Sequence, residues 1–320
     1  MLQIDCWDVA QGDCSVIRLP DEKLFLIDTG DRTSPVVSWL AERRARIHTI
    51  ALTHNDSDHA GALPSILMLP NLSIETVRMI VDRSHDSPIF KKIFDCALRQ
   101  HALHRLNLDR IEAGAKPMVL WESDDRSMSI KAIYPSFVAN TQAKNANSTS
   151  AVIALFVTDQ ILAVWPGDAP MSVLSALLSG TTPTLLFGPH HGAPIDKKHS
   201  TFIANSDSFE PNHVFISVAS ANPYGHPAPE YVKFQGNRGC TVTCSQLTRQ
   251  CDRNRVANKQ SVLDGSMLLG LRAPANGVRC RGAMRFKLQG NALIPDEFFE
   301  EHRKRVKMLQ RPMCQANEEN

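Results

Sequence analysis

The chain has 320 residues, 43% of them hydrophobic, and carries 35 basic against 33 acidic side chains for a formal net charge of +2. That is enough apolar material for one large core or two smaller ones, which excludes a disordered or fibrous chain. The near-neutral balance excludes a nucleic-acid binder of overall basic character and leaves open only a local basic groove.

Apolar runs bounded by turn residues predict strands at 2–9, 14–19, 23–27 and 49–52. The runs are continuous rather than alternating, as in strands buried on both faces. Between them 35–45 reads as a helix whose apolar side is Val36, Val37, Leu40 and Ala41. Further helices are expected at 61–69 and 87–103, and 104–126 and 136–147 read as loops. Strands follow at 129–134, 151–158 and 160–165, then a helix at 171–178 and short strands at 184–187 and 214–218. Beyond 236 the pattern weakens, with strands expected at 266–271 and 278–288. A helix over 295–309 carries Arg303, Lys304, Arg305 and Lys307; such a cluster reads first as a solvated face and second as a contact for phosphate or a partner. Two strand-rich halves with flanking helices predict an α/β chain folded as a four-layer αββα sandwich. We expect a catalytic core over 1–235. Residues 236–320 form an extension with strands that complete the core, a cysteine cluster and the basic terminal helix.

The densest chemistry lies at His54-Asn55-Asp56-Ser57-Asp58-His59, directly after the apolar Ile50-Ala51-Leu52. Four metal-capable side chains at the mouth of a buried strand suit a turn that aims alternate side chains at one point, as a dinuclear site requires. The plain alternative is a polar loop with Asp as helix cap, which needs only one such residue. Matching pieces recur elsewhere: Asp8-Val9-Ala10-Gln11-Gly12-Asp13, Ile27-Asp28-Thr29-Gly30, Pro166-Gly167-Asp168 and Pro189-His190-His191-Gly192 each follow an apolar stretch.

From residue 3 to about residue 230 this series resembles the metallo-β-lactamase superfamily, and more narrowly the hydrolase domain of ComEC-type DNA-uptake proteins. In that branch His-x-Asp-x-Asp-His replaces the His-x-His-x-Asp-His of other members, and Asp56 stands where they have the second His. Asn147-Ser148-Thr149-Ser150-Ala151-Val152 and Asn222-Pro223-Tyr224-Gly225-His226-Pro227 are similar to two further segments of the branch. Ala10 departs from its usual Gly, and Trp165-Pro166 from its usual Leu-Thr.

The resemblance implies two divalent metal ions, zinc or manganese with magnesium admissible, the extra Asp hardening the site toward manganese. His54 and Asp56 would hold one ion, Asp58 and His59 the other, and Asp168 would bridge them. One histidine of the His190-His191 pair would complete the second site; the sequence leaves open which, with His190 preferred and His191 then facing substrate or backing the ligands. Asp58, His191 and His226 are the expected catalytic residues, with His226 set to bind a phosphoryl oxygen or protonate a leaving group. Supporting roles fall to Asp28, Gln11 and Asp13, which would orient ligands, and to Asn147 and Ser150, near the place of a ligand other members have. The hydroxide between the ions would be the nucleophile.

The function implied is a metal-dependent phosphodiesterase, foremost a DNA nuclease with nucleic acid as substrate. The alternatives are a small-molecule phosphodiester or nucleotide-signal hydrolase and a noncatalytic partner-binding module. A free nuclease needs restraint, so a regulatory protein acting on the region after 236 is expected. The oligomeric state is left open. No stretch approaches the ~18 uninterrupted apolar residues of a membrane span, and residues 1–8 lack the regions of a signal peptide, so the expected place is the cytoplasm, with no membrane partner. Its eight cysteines are then reduced thiols, although Cys240, Cys244, Cys251 and Cys280 would make a structural zinc site if they converge. His48, His85, His101, His104, His199, His213 and His302 fit no ligand spacing, and Ser84-His85-Asp86 is adjacency rather than triad geometry.

Overall fold

The computed structural model describes residues 1–80, 88–114, 116–142, 147–195, 209–263, 271, 274 and 277–315. The first sheet starts as an antiparallel meander of β1 (Gln3–Cys6), β2 (Ser15–Arg18) and β3 (Leu24–Ile27). It continues in parallel through β4 (Ala45–Ala51), β5 (Leu72–Met79) and β6 (Asn107–Arg110). The second sheet holds β7 (Met118–Glu122), β8 (Met128–Tyr134), β9 (Val152–Val157) and β10 (Gln160–Trp165) antiparallel, then β11 (Leu185–Phe187), β12 (His213–Ile216) and β13 (Thr241–Cys244) parallel. The chain then returns: β14 (Met284–Gln289) pairs with β1, and β15 (Ala292–Pro295) closes that edge. The sheet orders are β15-β14-β1-β2-β3-β4-β5-β6 and β13-β12-β11-β10-β9-β8-β7.

The sheets face each other across Ile4, Ile17, Phe25, Ile130, Ile153, Trp165, Phe187, Phe215 and Phe286. Trp165 spans this interface and donates its indole N–H to Ser15 Oγ at 2.8 Å, the partner a buried indole needs. Helices α1 (Pro35–Ala41), α2 (Ser57–Ala60), α3 (Leu63–Leu67) and α4 (Pro88–Ala102) cover the first sheet through Val36, Trp39, Leu63, Ile66 and Ile93. The short α5 (Phe137–Gln142) follows β8. Helices α6 (Met171–Leu177) and α7 (Pro229–Gly236) cover the second sheet through Leu174, Tyr231 and Val232. The result is the four-layer αββα sandwich that the alternation of elements predicts.

Several predicted loops contain regular structure. Residues 104–126 hold β6 and β7, and 136–147 hold α5. Edge strand β6 reads Asn107-Leu108-Asp109-Arg110 and exposes Asn107, Asp109 and Arg110, so it carries no apolar period. The run 278–288 becomes a strand only from Met284, because Cys280 and Gly282 turn aside to donate their N–H groups to the Ser245 carbonyl. The terminal helix, α9 (Phe299–Val306), is shorter than the expected 295–309, since Pro295 still belongs to β15. The expected strand at 266–271 lies, Leu271 apart, outside the described residues, as do His85, His199 and Ser84-His85-Asp86. No helix among the described residues is long and apolar enough to cross a membrane.

Two ion pairs fasten the returning segment. Arg281 is fully buried against Asp296, which also accepts the backbone N–H groups of Arg285 and Phe298. Arg285 grips Asp5 through two bonds of 2.6 and 3.0 Å from a half-buried position. Removing one partner of a buried pair strands the other charge. We expect Asp296→Ala to lose about 3–5 kcal/mol of unfolding free energy in urea, and Asp5→Ala about 1 kcal/mol, since Arg285 can turn to solvent.

Candidate metal centre

Five loops meet where strands of both sheets end. Beyond β3 comes Asp28, beyond β4 the run Thr53 to His59, beyond β10 Asp168, beyond β11 the His190-His191 pair, and beyond β12 the loop of Ser217 to His226. Ligands in open α/β sheets bind at such strand ends, where loop backbones diverge. Glycine lets the loops approach: a Cβ on Gly12 would lie 2.1 Å from the Asp58 carbonyl oxygen, and one on Gly167 would lie 2.3 Å from Ser150 Oγ. Asp56 occupies the cap position of α2 yet its side chain makes no capping bond, so the capping explanation of this cluster fails.

The imidazoles are aimed by their Nδ1 atoms. His59 Nδ1 donates to Asp28 Oδ2 at 2.8 Å, and His191 Nδ1 donates to the Ser217 carbonyl at 3.1 Å. His54 Nδ1 lies 3.2 Å from Thr53 Oγ1, which itself donates to Asp28 Oδ2 at 2.6 Å. Each ring is thereby held with its Nε2 lone pair free to face the cleft. His59 Nε2 stands 3.3 Å from His191 Nε2 and 3.2 Å from Asp168 Oδ1, and His191 Nε2 stands 3.3 Å from Asp58 Oδ2. His54 Nε2 stands 3.5 Å from Asp168 Oδ2 and 3.8 Å from Asp56 Oδ2.

These spacings test the fit to an ion. Bonds of about 2.0–2.1 Å to nitrogen and oxygen put tetrahedral ligands roughly 3.3–3.4 Å apart, close to the His59–His191, His59–Asp168 and His191–Asp58 separations. His54 Nε2 and Asp168 Oδ1 are buried and have no hydrogen-bond partner among the described residues, a position polar atoms seldom hold unless something else satisfies them. The donor set therefore fits divalent metal.

The structure corrects one expectation and sharpens others. His191, not His190, lies against Asp58 and His59; His190 Nε2 approaches Asp168 Oδ2 at 3.5 Å, and its side chain is 40% exposed. Both residues have left-handed backbone, φ 49° and 54°, a conformation costing about 1–3 kcal/mol each that persists where function over-determines it. Asp13 groups with His59 and His191, but its carboxylate sits 3.6 Å from His191 Nδ1, behind the ring. Burial first, offset by His191 and His59, puts its pKa at about 6. Gln11 Oε1 accepts from Ala219 N at 3.4 Å, so it ties two loops together. Ser150 accepts from Asp168 N at 3.0 Å and lies 3.4 Å from His54 Nδ1. Asn147 lines a cavity of about 310 Å³ beside Asp168 and His190, together with Met171 and Ile195. Ala10 has φ 65°, the conformation a glycine would take without strain.

His226 stands with its ring 5.5 Å from that of His190, its Nδ1 buried, and Asn222 clamps its backbone N–H and carbonyl at 2.9 and 2.8 Å. Burial, helped by His190 and His191, lowers its pKa to about 4. Thr53, Ser217 and Gln246 are supports the sequence reading missed. Gln246 donates to Asp8 at 2.9 Å and accepts from Ser220 N at 2.9 Å, joining the first loop to the last. Nothing in a lone Thr, Ser or Gln signals such a role. Among the cysteines, Cys240 stands apart, donating to Gln235 Oε1 at 3.6 Å, whereas Cys244, Cys251 and Cys280 share one cavity with Cys314.

Residues 7–86, which include the His54 to His59 run, match the family model of the metallo-beta-lactamase superfamily. The match spans a quarter of the chain, and the whole chain has the αββα sandwich of the metallo-β-lactamase fold. Its structure is similar to that of Igni18, a metallo hydrolase from the hyperthermophilic archaeon Ignicoccus hospitalis, at 15% identity over 76% of this chain and 94% of that one, TM-score 0.45. It is also similar to Zn²⁺-bound PqqB from Methylobacterium extorquens, at 13% identity over 72% and 84% of the two chains, TM-score 0.42. Human tRNase Z, short form, is similar at 14% identity over 74% and 89%, TM-score 0.38. No curated protein matches this chain in sequence.

Burial lowers the proton affinity of His59, but Asp168 and Asp28 on either side of the ring more than reverse this and hold its pKa well above the ordinary histidine value. A divalent ion taking Nε2 therefore displaces a proton. We expect metal affinity to fall by about tenfold per pH unit as pH drops below that raised pKa, and calorimetry in buffers of differing ionisation enthalpy to record proton release. Asp28→Asn leaves His59 without its carboxylate acceptor; we expect metal affinity to fall about 10–100-fold in a chelator competition titration, with the fold retained.

Proposed function

We propose that this hydrolase is a metal-dependent phosphodiesterase acting on nucleic acid, DNA foremost. The observation that carries the reading is the placement of Asp168, whose Oδ1 faces His59 while its Oδ2 faces His54 and His190. A carboxylate so placed would be shared by two divalent ions. In this reading Asp58, His59, His191 and Asp168 Oδ1 hold one ion, and His54, Asp56 and Asp168 Oδ2 the other, with His190 at the mouth. Divalent ions at these donors supply Lewis acidity, lower the pKa of water, and offset the charge that builds in an in-line phosphoryl displacement.

The chain's own groups do the rest. Asp28 and the Ser217 carbonyl keep His59 and His191 in the tautomer that presents Nε2. Neutral at pH 7, His226 donates a hydrogen bond to a phosphoryl oxygen without adding charge, and Asn222 holds it in place. Asp56, 33% exposed, replaces a neutral imidazole with an anion on the open side, which favours a hard ion such as manganese. The choice of DNA rests on the likeness of the metal-binding and Asn222 to Pro227 segments to ComEC-type domains.

One observation favours a small-molecule phosphodiester instead. Among the described residues, the cavity of about 310 Å³ beside His190 has no Lys or Arg in its lining, and polymer backbones are gripped by such cations. The test is to strip the protein of metal and add Mn²⁺, Zn²⁺ or Mg²⁺ with linear, circular and single-stranded DNA or bis-nitrophenyl phosphate. We expect ion-dependent DNA cleavage, a loss of at least about a hundredfold for Asp58→Ala or His191→Ala, and reduced turnover with unchanged metal content for His226→Gln. Cleavage of the small ester alone moves the reading to a small substrate; cleavage of neither sinks it.

A further inference from the structure

A second group of soft donors lies outside the metal centre. Cys244 ends β13, Cys251 sits on the turn ahead of α8 (Arg253–Ala257), Cys280 precedes β14, and Cys314 lies on the last turn described, Met313–Gln315. Segments this far apart in sequence bring their four thiols to the wall of one small cavity, shared with Leu247, Leu309 and Met313. Its volume is about 10 Å³, the size of one water-sized sphere. No organic ligand fits. A water there would face mostly sulfur and hydrocarbon, although it needs two to four polar partners. The room suits a single ion, and sulfur selects a soft one.

We propose that Cys244, Cys251, Cys280 and Cys314 bind one thiophilic divalent ion, zinc, in a structural site independent of the metal centre. All eight cysteines are free thiols, so the ligands are available without reduction. Binding releases the thiol protons to solvent and leaves four thiolates on the ion. His302 Nε2 lies 3.4 Å from Cys280 Sγ, where its N–H can donate to the zinc-bound thiolate. Among the described residues only groups in the metal centre bring three donors within 4.8 Å of one another. Binding therefore requires the four thiols to draw together on the ion.

Zinc here answers a structural need. The local core is Leu247, Val262, Val278, Cys280, Val306 and Leu309, small for a segment that must hold two loops, α9 and the terminal turn. Small cores of this kind are commonly stapled by a metal. Zinc would join the end of β13 to the segment that carries Gln246, and Gln246 holds the Asp8 and Ser220 loops of the metal centre.

The test uses the full chain and does not read activity. A His59→Ala, Asp168→Ala double variant, which leaves each ion of the metal centre at most two of its proposed ligands, is prepared in zinc-containing medium and desalted. We expect about one zinc per chain by elemental analysis, released when a mercurial titrates about four thiols. Cobalt in place of zinc should give strong thiolate-to-metal charge-transfer absorption. Cys244→Ser and Cys314→Ser should each lose this zinc, whereas Cys240→Ser keeps it. If the serine variants fail to fold, the cobalt spectrum of the otherwise intact chain still decides. Absence of zinc and of charge-transfer absorption, with eight freely reactive thiols or with disulfides by mass, overturns the proposal and leaves the phosphodiesterase reading untouched.

Discussion

A carboxylate sunk among imidazoles at the end of two packed sheets is the constraint on which this structure turns. Asp168 is almost fully buried, and burial alone would push its pKa up; His54 and His59 outweigh that and keep it well below the usual carboxylate range. Those histidines are themselves buried and need Asp28, Thr53 and Ser150 behind them. The demand for counter-charge passes outward from Asp168 through these partners, and this network sets where the loops of both sheets must lie.

The sheets supply rigidity and the loops supply chemistry. Strands β3, β4, β10, β11 and β12 are buried over the last three residues before their loops, so those ends are fixed by packing rather than by loop sequence. Close approach is then bought with unusual backbone: Gly12 and Gly167 where a side chain would collide, and left-handed His190 and His191 where two imidazoles must leave the chain in different directions. The returning segment after β13 belongs to the same construction, since β14 completes the first sheet and Gln246 bridges loops from both halves. A change far from the cleft, such as one that frees Arg281 from Asp296, therefore reaches the metal centre through β1 and β14.

Much of this was legible in the chain itself. The buried strands announce themselves as continuous apolar runs, and the alternation of strands and helices defines the sandwich. His54, Asp56, Asp58, His59 and Asp168 stand out because carboxylates and imidazoles directly after apolar strands have few other uses. Strand β5 and the edge strand β6 were illegible, because a partly solvated strand has no need of an apolar period. Thr53, Ser217 and Gln246 were illegible for a different reason: their roles depend on which carbonyl or carboxylate happens to face them.

Sequence by itself determined the fold class, the donor types and the loops that carry them, since local composition and period are properties of consecutive residues. Only the tertiary structure decided that His191 rather than His190 meets Asp58, that Asp168 presents an oxygen to each side, and that Cys314 rather than Cys240 joins the other three thiols. Each of these depends on the direction of a side chain after distant segments have packed. Direction is set by backbone dihedrals and neighbours that no spacing along the chain records.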